Sequence, residues 1–231
     1  MESGPVSPGF ELTPIWHPSP NFGPRRNGIL PQLVVLHFTA MKNAQAALER
    51  LCDPKAEVSA HYLIGSDGTC WQMVDEAQRA WHAGAGEWAG AQDVNSRSIG
   101  IELDNRGTHP FAEPQMQVLE DLLDQIMTRW TIPRAGVIGH SDMAPGRKID
   151  PGPRFDWQRL ARRKLAIWAQ GEPPAEADWN TFCDLTHRIG YTAQMDNALR
   201  LCTFRLRFRP WASGPLSAED VGCARAIGAL A

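Results

Sequence analysis

Two histidines and an aspartate are the first candidates for chemistry in this chain. His37 lies near the end of the apolar run 33–38, and His140 follows the short apolar segment 137–139. Asp150 comes ten residues after His140, in a loop rich in proline and glycine. Two imidazoles and one carboxylate are a common ligand set for a catalytic zinc ion, which keeps a fourth position for water. Each residue alone is a weak signal, because a strand-end histidine is more often structural and an aspartate before a proline often begins a turn.

Two further charged residues are candidates for catalytic roles beside such a metal. In the segment SIGIEL at 98–103, period-two alternation puts Glu102 on the face opposite the two isoleucines. A buried carboxylate needs a partner, so a solvated surface glutamate is the alternative. Lys148 precedes Asp150 by two residues, and in an extended loop both side chains point the same way. An ammonium fixed there could stabilise an oxyanion, although a solvated loop lysine is the ordinary alternative.

Apolar patterning predicts the elements that would position these side chains. Strands are expected at 33–38, 61–64, 70–74, 98–103 and 137–139, and helices at 43–51, 113–130 and 157–170. The Asp67-Gly68 pair is typical of a hairpin turn. The segment 77–97 lacks periodicity and is interpreted as a long functional loop. Strands that alternate with helices predict an α/β fold with a central sheet.

Composition shifts along the chain suggest how it is divided. Residues 1–30 are predicted to be an extended N-terminal arm laid over the surface without forming an element. The catalytic domain is expected at 31–170, and GEPPAEAD at 171–178 reads as a linker. Residues 179–231 carry their own apolar positions and are predicted to form a small helical domain.

Charge and cysteine usage narrow the class of protein. The net charge is −3, with 23 basic and 26 acidic residues, which gives no reason to expect a nucleic-acid partner. No run of 18 apolar residues occurs, so no integral membrane segment is expected. The five cysteines are scattered without a C-x-x-C pair, which favours reduced thiols. Together with an N-terminus that lacks a signal-peptide pattern, this predicts a cytoplasmic location. A periplasmic or envelope location is the alternative if a signal has been removed.

A set of short motifs resembles one known family. The string GHSDMAPGRKIDPGPRFDW at 139–157 resembles the zinc-binding segment of N-acetylmuramoyl-L-alanine amidases of the AmpD and AmiD type. These enzymes are related in fold to phage lysozyme-type amidases and animal peptidoglycan recognition proteins. Further matches follow the family's order: VVLHFTA around His37, VSAHYLI at 58–64, WHAG at 81–84 and SIGIE at 98–102. The resemblance covers about residues 17–170.

The resemblance implies a fold, a metal and roles for the charged residues. The expected fold is a mixed central β-sheet flanked by helices. The metal is Zn²⁺, held by His37, His140 and Asp150. Glu102 is then the general base that faces the metal-bound water, and Lys148 is the catalytic lysine.

The resemblance also implies a substrate class. The partner is peptidoglycan or its muropeptide fragments, cut between N-acetylmuramic or 1,6-anhydro-N-acetylmuramic acid and L-alanine. Trp81, His82 and Gly84 are expected to contact substrate, although plain packing is nearly as good an interpretation of His82. For His61 a hydrogen-bonded core role is expected, since zinc already has its ligands.

Several alternatives stay open at this level. The run FRLRFRP at 204–210 resembles the small peptidoglycan-binding-like helical domain of the AmiD type, but a structural cap is an equal interpretation. Phe38 and Glu57 depart from residues found in some AmpD-type members, so selectivity for anhydromuramyl substrates does not follow. The rival functions are a non-catalytic peptidoglycan-binding module and a zinc peptidase that acts within the stem peptide.

Overall fold

The computed structural model describes residues 12–231, so residues 1–11 of the predicted arm lie outside the described part. The strands are β1 (Ile15–Trp16), β2 (Phe22–Pro24), β3 (Leu33–Phe38), β4 (Tyr62–Ile64), β5 (Cys70–Gln72), β6 (Gln78–Ala80), β7 (Ser98–Leu103) and β8 (Val137–Gly139). The helices are α1 (Ala44–Cys52), α2 (Val94–Arg97), α3 (Glu113–Trp130), α4 (His140–Met143), α5 (Trp157–Arg162), α6 (Trp179–Ile189), α7 (Asn197–Phe208) and α8 (Ala218–Gly228).

A six-stranded sheet in the order β1-β5-β4-β7-β3-β8 organises the molecule. Strand β3 pairs in parallel with β7 and β8, β4 pairs in parallel with β7, and β4 pairs antiparallel with β5. The carboxyl ends of the parallel strands therefore meet at one edge, where α/β folds place their chemistry. The mixed sheet flanked by helices confirms the predicted fold class.

Strict alternation along β3 and β7 separates the two faces of the sheet. Val34, Leu36, Ile99 and Ile101 point to one face and are fully buried in a single apolar cluster. The α3 residues Leu119, Leu122, Leu123 and Ile126 complete this cluster. Helix α3 forms because its apolar residues recur at helical spacing, and it covers this face with that stripe.

The opposite face is divided into three parts. Over β4, Leu63 packs with the α1 residues Ala47, Leu48 and Leu51. Over β3 and β8, the sheet residues Leu33, Val35 and Ile138 pack with residues of all three C-terminal helices, Phe182, Phe204, Phe208, Val221 and Ile227 among them. The middle strand β7 carries the small or polar residues Ser98, Gly100 and Glu102 on this face. That leaves open space between the two apolar clusters.

Residues 179–231 are helical, as predicted, and they share their apolar core with the sheet. The segment 171–178 forms no helix or strand, yet it is packed closely at its start. A Cβ at Gly171 would overlap the carbonyl oxygen of Gly222 in α8. No helix within residues 12–231 is both long and apolar enough to cross a membrane.

Three predicted segments differ from the structure. The segment 77–97, expected to be a loop, contains β6 and α2. The described part of the arm forms β1, which extends the sheet edge beside β5, and β2, which pairs with β6. These pairings satisfy backbone groups that a loose arm would leave to water. The helix predicted at 157–170 ends at Arg162, and Lys164 adopts a left-handed φ of 60°. The consecutive residues Leu165, Ala166 and Ile167 are all buried, a pattern that a one-sided surface helix does not give.

Candidate active site

Three side chains meet at the carboxyl edge of the sheet. His37 Nδ1 lies 2.9 Å from His140 Nδ1 and 2.9 Å from Asp150 Oδ2, and His140 Nδ1 lies 3.0 Å from the same oxygen. All three residues are buried. Donor atoms around a tetrahedral zinc ion at about 2.0–2.1 Å lie about 3.3 Å apart, so a small outward shift would admit the ion. The triad predicted from the sequence is therefore one cluster that can hold a metal.

Each member of the triad is positioned by a different element. His37 lies near the carboxyl end of β3, which pairs with β7 on one side and with β8 on the other. His140 is the first residue of α4, directly after β8. Asp150 lies in the following loop, and its carbonyl accepts the N–H of Ser141 at 2.9 Å. This hydrogen bond ties the loop back to α4 and brings Asp150 beside His140.

The electrostatics of the cluster favour a cation. Burial, with a smaller contribution from His140 and against the opposing effect of Asp150, lowers the pKa of His37 to about 4. Burial would raise the pKa of Asp150, but the adjacent imidazoles of His140 and His37 outweigh it and hold that pKa well below its usual range. Near neutral pH the site thus offers a carboxylate and an uncharged His37 imidazole, the forms that bind metal.

Glu102 is placed beside the cluster by strand register. In the β3–β7 ladder its Cα partner is His37, so both side chains project from the same face. Its Oε2 is buried and has no hydrogen-bond partner among the described residues. Burial raises the pKa of Glu102 to about 8, with Asp150 adding to the increase and Lys148 opposing it. A buried carboxyl oxygen without a hydrogen-bond partner lowers the stability of the fold and is uncommon in native proteins. A catalytic role would explain why Glu102 lies at this cavity wall.

A cavity of about 590 Å³ opens onto these residues. It is lined by His37, Glu102, His140, Lys148 and Asp150, with walls from Phe38, Met41, Arg50, Val58, Trp81, His82 and Ile149. Lys148 itself is exposed, and its side chain reaches the cavity from the same loop as Asp150. The five residues predicted to carry chemistry therefore face one space.

The three residues predicted to contact substrate do not all line the same cavity. Trp81 and His82 line this cavity, whereas Gly84 lines a neighbouring cleft of about 330 Å³. His82 also faces inward, since its Nδ1 lies 3.0 Å from His37 Nε2. His61 is fully buried and its Nδ1 accepts the N–H of Gly100 at 3.0 Å, as expected of a core histidine.

Sequence reasoning missed a layer of residues behind the triad. The carbonyl of Ala83 accepts from His140 Nε2 at 2.9 Å and from Arg147 at 2.7 Å. The side chain of Asn95 accepts the backbone N–H groups of both His82 and Ala83. A backbone carbonyl has no sequence signal. Asn95 lies in the short helix α2, within the segment 77–97 whose sequence lacks periodicity, so only the motif WHAG pointed to this region.

Comparisons with known proteins agree with this geometry. The sequence profile described as N-acetylmuramoyl-L-alanine amidase matches residues 26–153. The chain is 34% identical to N-acetylmuramoyl-L-alanine amidase AmiD of Escherichia coli, over 85% of this chain and 82% of that protein. It is 35% identical to 1,6-anhydro-N-acetylmuramyl-L-alanine amidase AmpD of Citrobacter freundii, over 62% of this chain and 86% of that protein.

A solved structure gives the same relationship in three dimensions. The E. coli AmiD structure superposes with a TM-score of 0.76 at 32% identity and covers 91% of each chain. That protein was solved with the substrate anhydro-N-acetylmuramic acid-L-Ala-D-γ-Glu-L-Lys. The fold similarity extends over nearly the whole chain and so includes much of the C-terminal helical region.

Proposed function

The chain belongs to the N-acetylmuramoyl-L-alanine amidase family, and from this we propose the reaction that its cavity carries out. The enzyme hydrolyses the amide bond between N-acetylmuramic acid, or its 1,6-anhydro form, and the L-alanine of peptidoglycan stem peptides. The observation that carries the proposal is the convergence of His37, His140 and Asp150 beside the unpaired carboxyl of Glu102 in one cavity.

We propose Zn²⁺ as the metal of the triad. Two imidazoles and one carboxylate match the ligand sets of catalytic zinc sites, which leave a fourth position open. When bound, zinc supplies a lowered pKa for a coordinated water and polarises the scissile carbonyl. No thiol lies in the cluster, since its three members are His37, His140 and Asp150.

The remaining chemistry falls to two side chains of this chain. A cation bound at the triad would lower the pKa of Glu102 from about 8, because a nearby opposite charge favours the ionised carboxylate. That carboxylate takes a proton from the attacking water as the water oxygen bonds to the amide carbon. When the carbon–nitrogen bond breaks, Glu102 returns that proton to the departing nitrogen of alanine. The ammonium of Lys148 opposes the negative charge that develops on the carbonyl oxygen. The products are the muramic carboxylate and a stem peptide with a free amino terminus.

We further propose that soluble muropeptides in the cytoplasm are the physiological substrate. All five cysteines are free thiols, the state that a reducing compartment maintains. A cavity of about 590 Å³ is within the range of small-ligand sites and suits a fragment better than a polymer. Cell fractionation tests the compartment. Efficient cleavage of intact sacculi, with no preference for anhydromuropeptides, would contradict the proposed substrate.

Product analysis by mass spectrometry tests the reaction itself. With anhydromuramyl tripeptide as substrate, we expect the free anhydro sugar acid and the intact tripeptide. Cleavage inside the tripeptide would instead identify a stem peptidase, and absence of turnover with a zinc-loaded protein would favour a binding module.

The variant Glu102→Gln tests the role of the general base. We expect zinc content to stay at the wild-type level while kcat falls about 10²–10⁴-fold, because proton transfer is lost and metal binding is not. The matched control is Glu219→Gln, at an exposed glutamate in the first turn of α8, which should leave kcat unchanged. A Glu102→Gln enzyme with wild-type kcat would remove Glu102 from the mechanism.

A further inference from the structure

One dipeptide contacts the outer nitrogens of both candidate histidine ligands. The Nε2 atom of His140 lies 2.9 Å from the carbonyl oxygen of Ala83, and the Nε2 atom of His37 lies 3.0 Å from Nδ1 of His82. The carboxamide oxygen of Asn95 anchors the dipeptide, because it accepts the backbone N–H of His82 at 3.0 Å and of Ala83 at 2.8 Å. The orientation of both ligands thus depends on one short segment.

The hydrogen-bond chain behind His37 has one consistent arrangement of protons. Ser98 Oγ lies 2.6 Å from the carbonyl of Val94 and must donate to it, since a carbonyl only accepts. With its single proton used, Ser98 Oγ accepts from Nε2–H of His82 at 3.2 Å. The neutral His82 ring then has a bare Nδ1, which accepts Nε2–H of His37. His37 is left with a bare Nδ1 that faces Asp150.

The same logic fixes His140. Its Nε2 must donate to the Ala83 carbonyl, so the Nδ1 of the neutral ring has no proton. Two bare imidazole nitrogens and a carboxylate oxygen then face one another at 2.9–3.0 Å with no hydrogen between them. Such a group of acceptors is satisfied only by a cation.

We propose that His82 is a positioning residue which, with the carbonyl of Ala83, holds both ligand histidines in the Nε2–H tautomer so that their Nδ1 atoms face the metal. The inference rests on the proposed metal site. When the outer N–H of a ligating histidine donates a hydrogen bond, the orientation of the ring is fixed and the nitrogen that binds the metal becomes more basic. His82 therefore acts on the metal through His37, besides lining the cavity wall.

The sheet is built to admit the His82 ring. The ring lies over Gly100 of β7, where a Cβ would overlap it. Ser98, on the same face of the same strand, supplies the acceptor for the ring. The motifs WHAG and SIGIE thus act together, because the strand leaves space for the His82 ring and accepts the hydrogen bond that orients it.

Zinc affinity, measured by competition with a chromophoric chelator, is the first test. His82→Ala removes the acceptor, and we expect zinc to bind about 10–100-fold more weakly. His82→Asn can place a carboxamide oxygen near the position of Nδ1, so it should recover most of that affinity. The exposed His109→Asn serves as control and should match wild type.

The tautomer of His37 is a second readout that a merely structural role would not change. In zinc-free protein, ¹⁵N NMR distinguishes protonated from bare ring nitrogens, and the His37 signals are assigned by their loss in His37→Gln. We expect a bare Nδ1 in wild type and a mixture of tautomers in His82→Ala. If His82→Ala does not fold, Ser98→Ala keeps the ring but removes its acceptor, and it should also yield mixed tautomers.

The outcomes separate the two proposals. A wild-type protein that binds no zinc would overturn the proposed function. A wild-type protein that binds zinc, with His82→Ala equal to it in affinity and in the tautomer of His37, would overturn the role of His82 alone.

Discussion

The chain segments that cover the two sides of the central sheet differ in the residues that they bury. On one side, α3 supplies aliphatic residues, Leu119, Leu122, Leu123 and Ile126. On the other, the C-terminal helices and the connection between α6 and α7 supply aromatic residues, Phe182, Tyr191, Phe204 and Phe208. The second core also encloses a charged pair, Asp142 and Arg207, whose side chains are 0% and 2% exposed.

The charged pair lies directly behind a candidate metal ligand. Asp142 Oδ2 accepts from Arg207 at 2.7 Å and from the N–H of Gly139 at 2.7 Å, while Oδ1 accepts the Tyr191 hydroxyl at 2.6 Å. Arg207 also donates to the carbonyl of Val137 at 3.0 Å. Asp142 belongs to the same four-residue helix as His140. Residues of the C-terminal helices thus hold the turn from which His140 projects.

The difference between the cores indicates what each contributes. Burial of aliphatic surface stabilises a fold without directing any particular side chain. A buried ion pair adds little net stability, because desolvation offsets its attraction, but its geometry is specific. We infer that the α3 core supplies stability, whereas the C-terminal core also positions His140.

Deletion of residues 179–231 should have the largest effect. It would expose Leu33, Val35 and Ile138 and leave Asp142 without Arg207 and Tyr191. We expect the remaining chain to lose cooperative thermal unfolding and to lose activity on muropeptides and sacculi alike. A truncated protein that unfolds cooperatively, cleaves muropeptides and fails only on sacculi would show instead that this segment is a separate polymer-binding domain.

A smaller change tests the charged pair itself. Arg207→Met leaves Asp142 buried without its ion-pair partner, and this should lower the free energy of unfolding by about 3–5 kcal/mol. Because Asp142 holds the N–H of Gly139, next to His140, we also expect weaker zinc binding. Urea unfolding and chelator competition measure the two effects separately.

The matched variant on the other side of the sheet is Leu119→Ala. Leu119 is fully buried, so its truncation should cost about 2–5 kcal/mol of stability. Its zinc affinity should equal that of wild type when both are measured well below their unfolding transitions. If Arg207→Met and Leu119→Ala both retained the zinc affinity of wild type, the C-terminal core would have no role in positioning His140.

The sequence predicted the elements whose pattern is complete within the element itself. The bounds of β3, β7 and α3 agree with the prediction, because β3 is a continuous apolar run, β7 alternates isoleucines with small or polar residues, and α3 repeats apolar residues at helical spacing. The helix expected at 157–170 was too long, since Leu165, Ala166 and Ile167 are buried in succession beneath other elements. Such burial depends on distant chain segments that local periodicity does not report.

The residues of the candidate site were likewise predicted only where the sequence itself carries a pattern. His37, His140, Asp150, Glu102 and Lys148 were found because their motifs have fixed residue types and order. The supporting layer was missed, because the Ala83 carbonyl belongs to the backbone and Asn95 lies in a four-residue helix that is too short to show a periodic pattern. The charged pair Asp142–Arg207 joins positions 65 residues apart, which only the tertiary structure brings together.

Acid should lower the free energy of unfolding through the side of the sheet that carries the candidate site. The buried histidines His37, His61 and His140 lie on this side. Burial, and then Arg25, lower the pKa of His61 to about 3, whereas the ordinary value for histidine is 6.5. As the pH falls below 6.5, the unfolded chain binds a proton at His61 that the folded chain does not bind until about pH 3. The unfolded state is therefore favoured, by about 1.4 kcal/mol per pH unit for this one group.

His61→Gln isolates this contribution. In zinc-free protein, the free energy of unfolding should fall less steeply between about pH 6 and pH 4 in the variant, by close to one proton. The variant starts from a lower stability, because it loses the hydrogen bond from the N–H of Gly100. His37 titrates in both proteins and cancels in the difference, and the exposed His109→Gln should keep the wild-type slope. Equal slopes for wild type and His61→Gln would mean that His61 takes up its proton without unfolding, and the acid sensitivity of this side would then have to come from His37 and His82, whose pKa values burial also lowers.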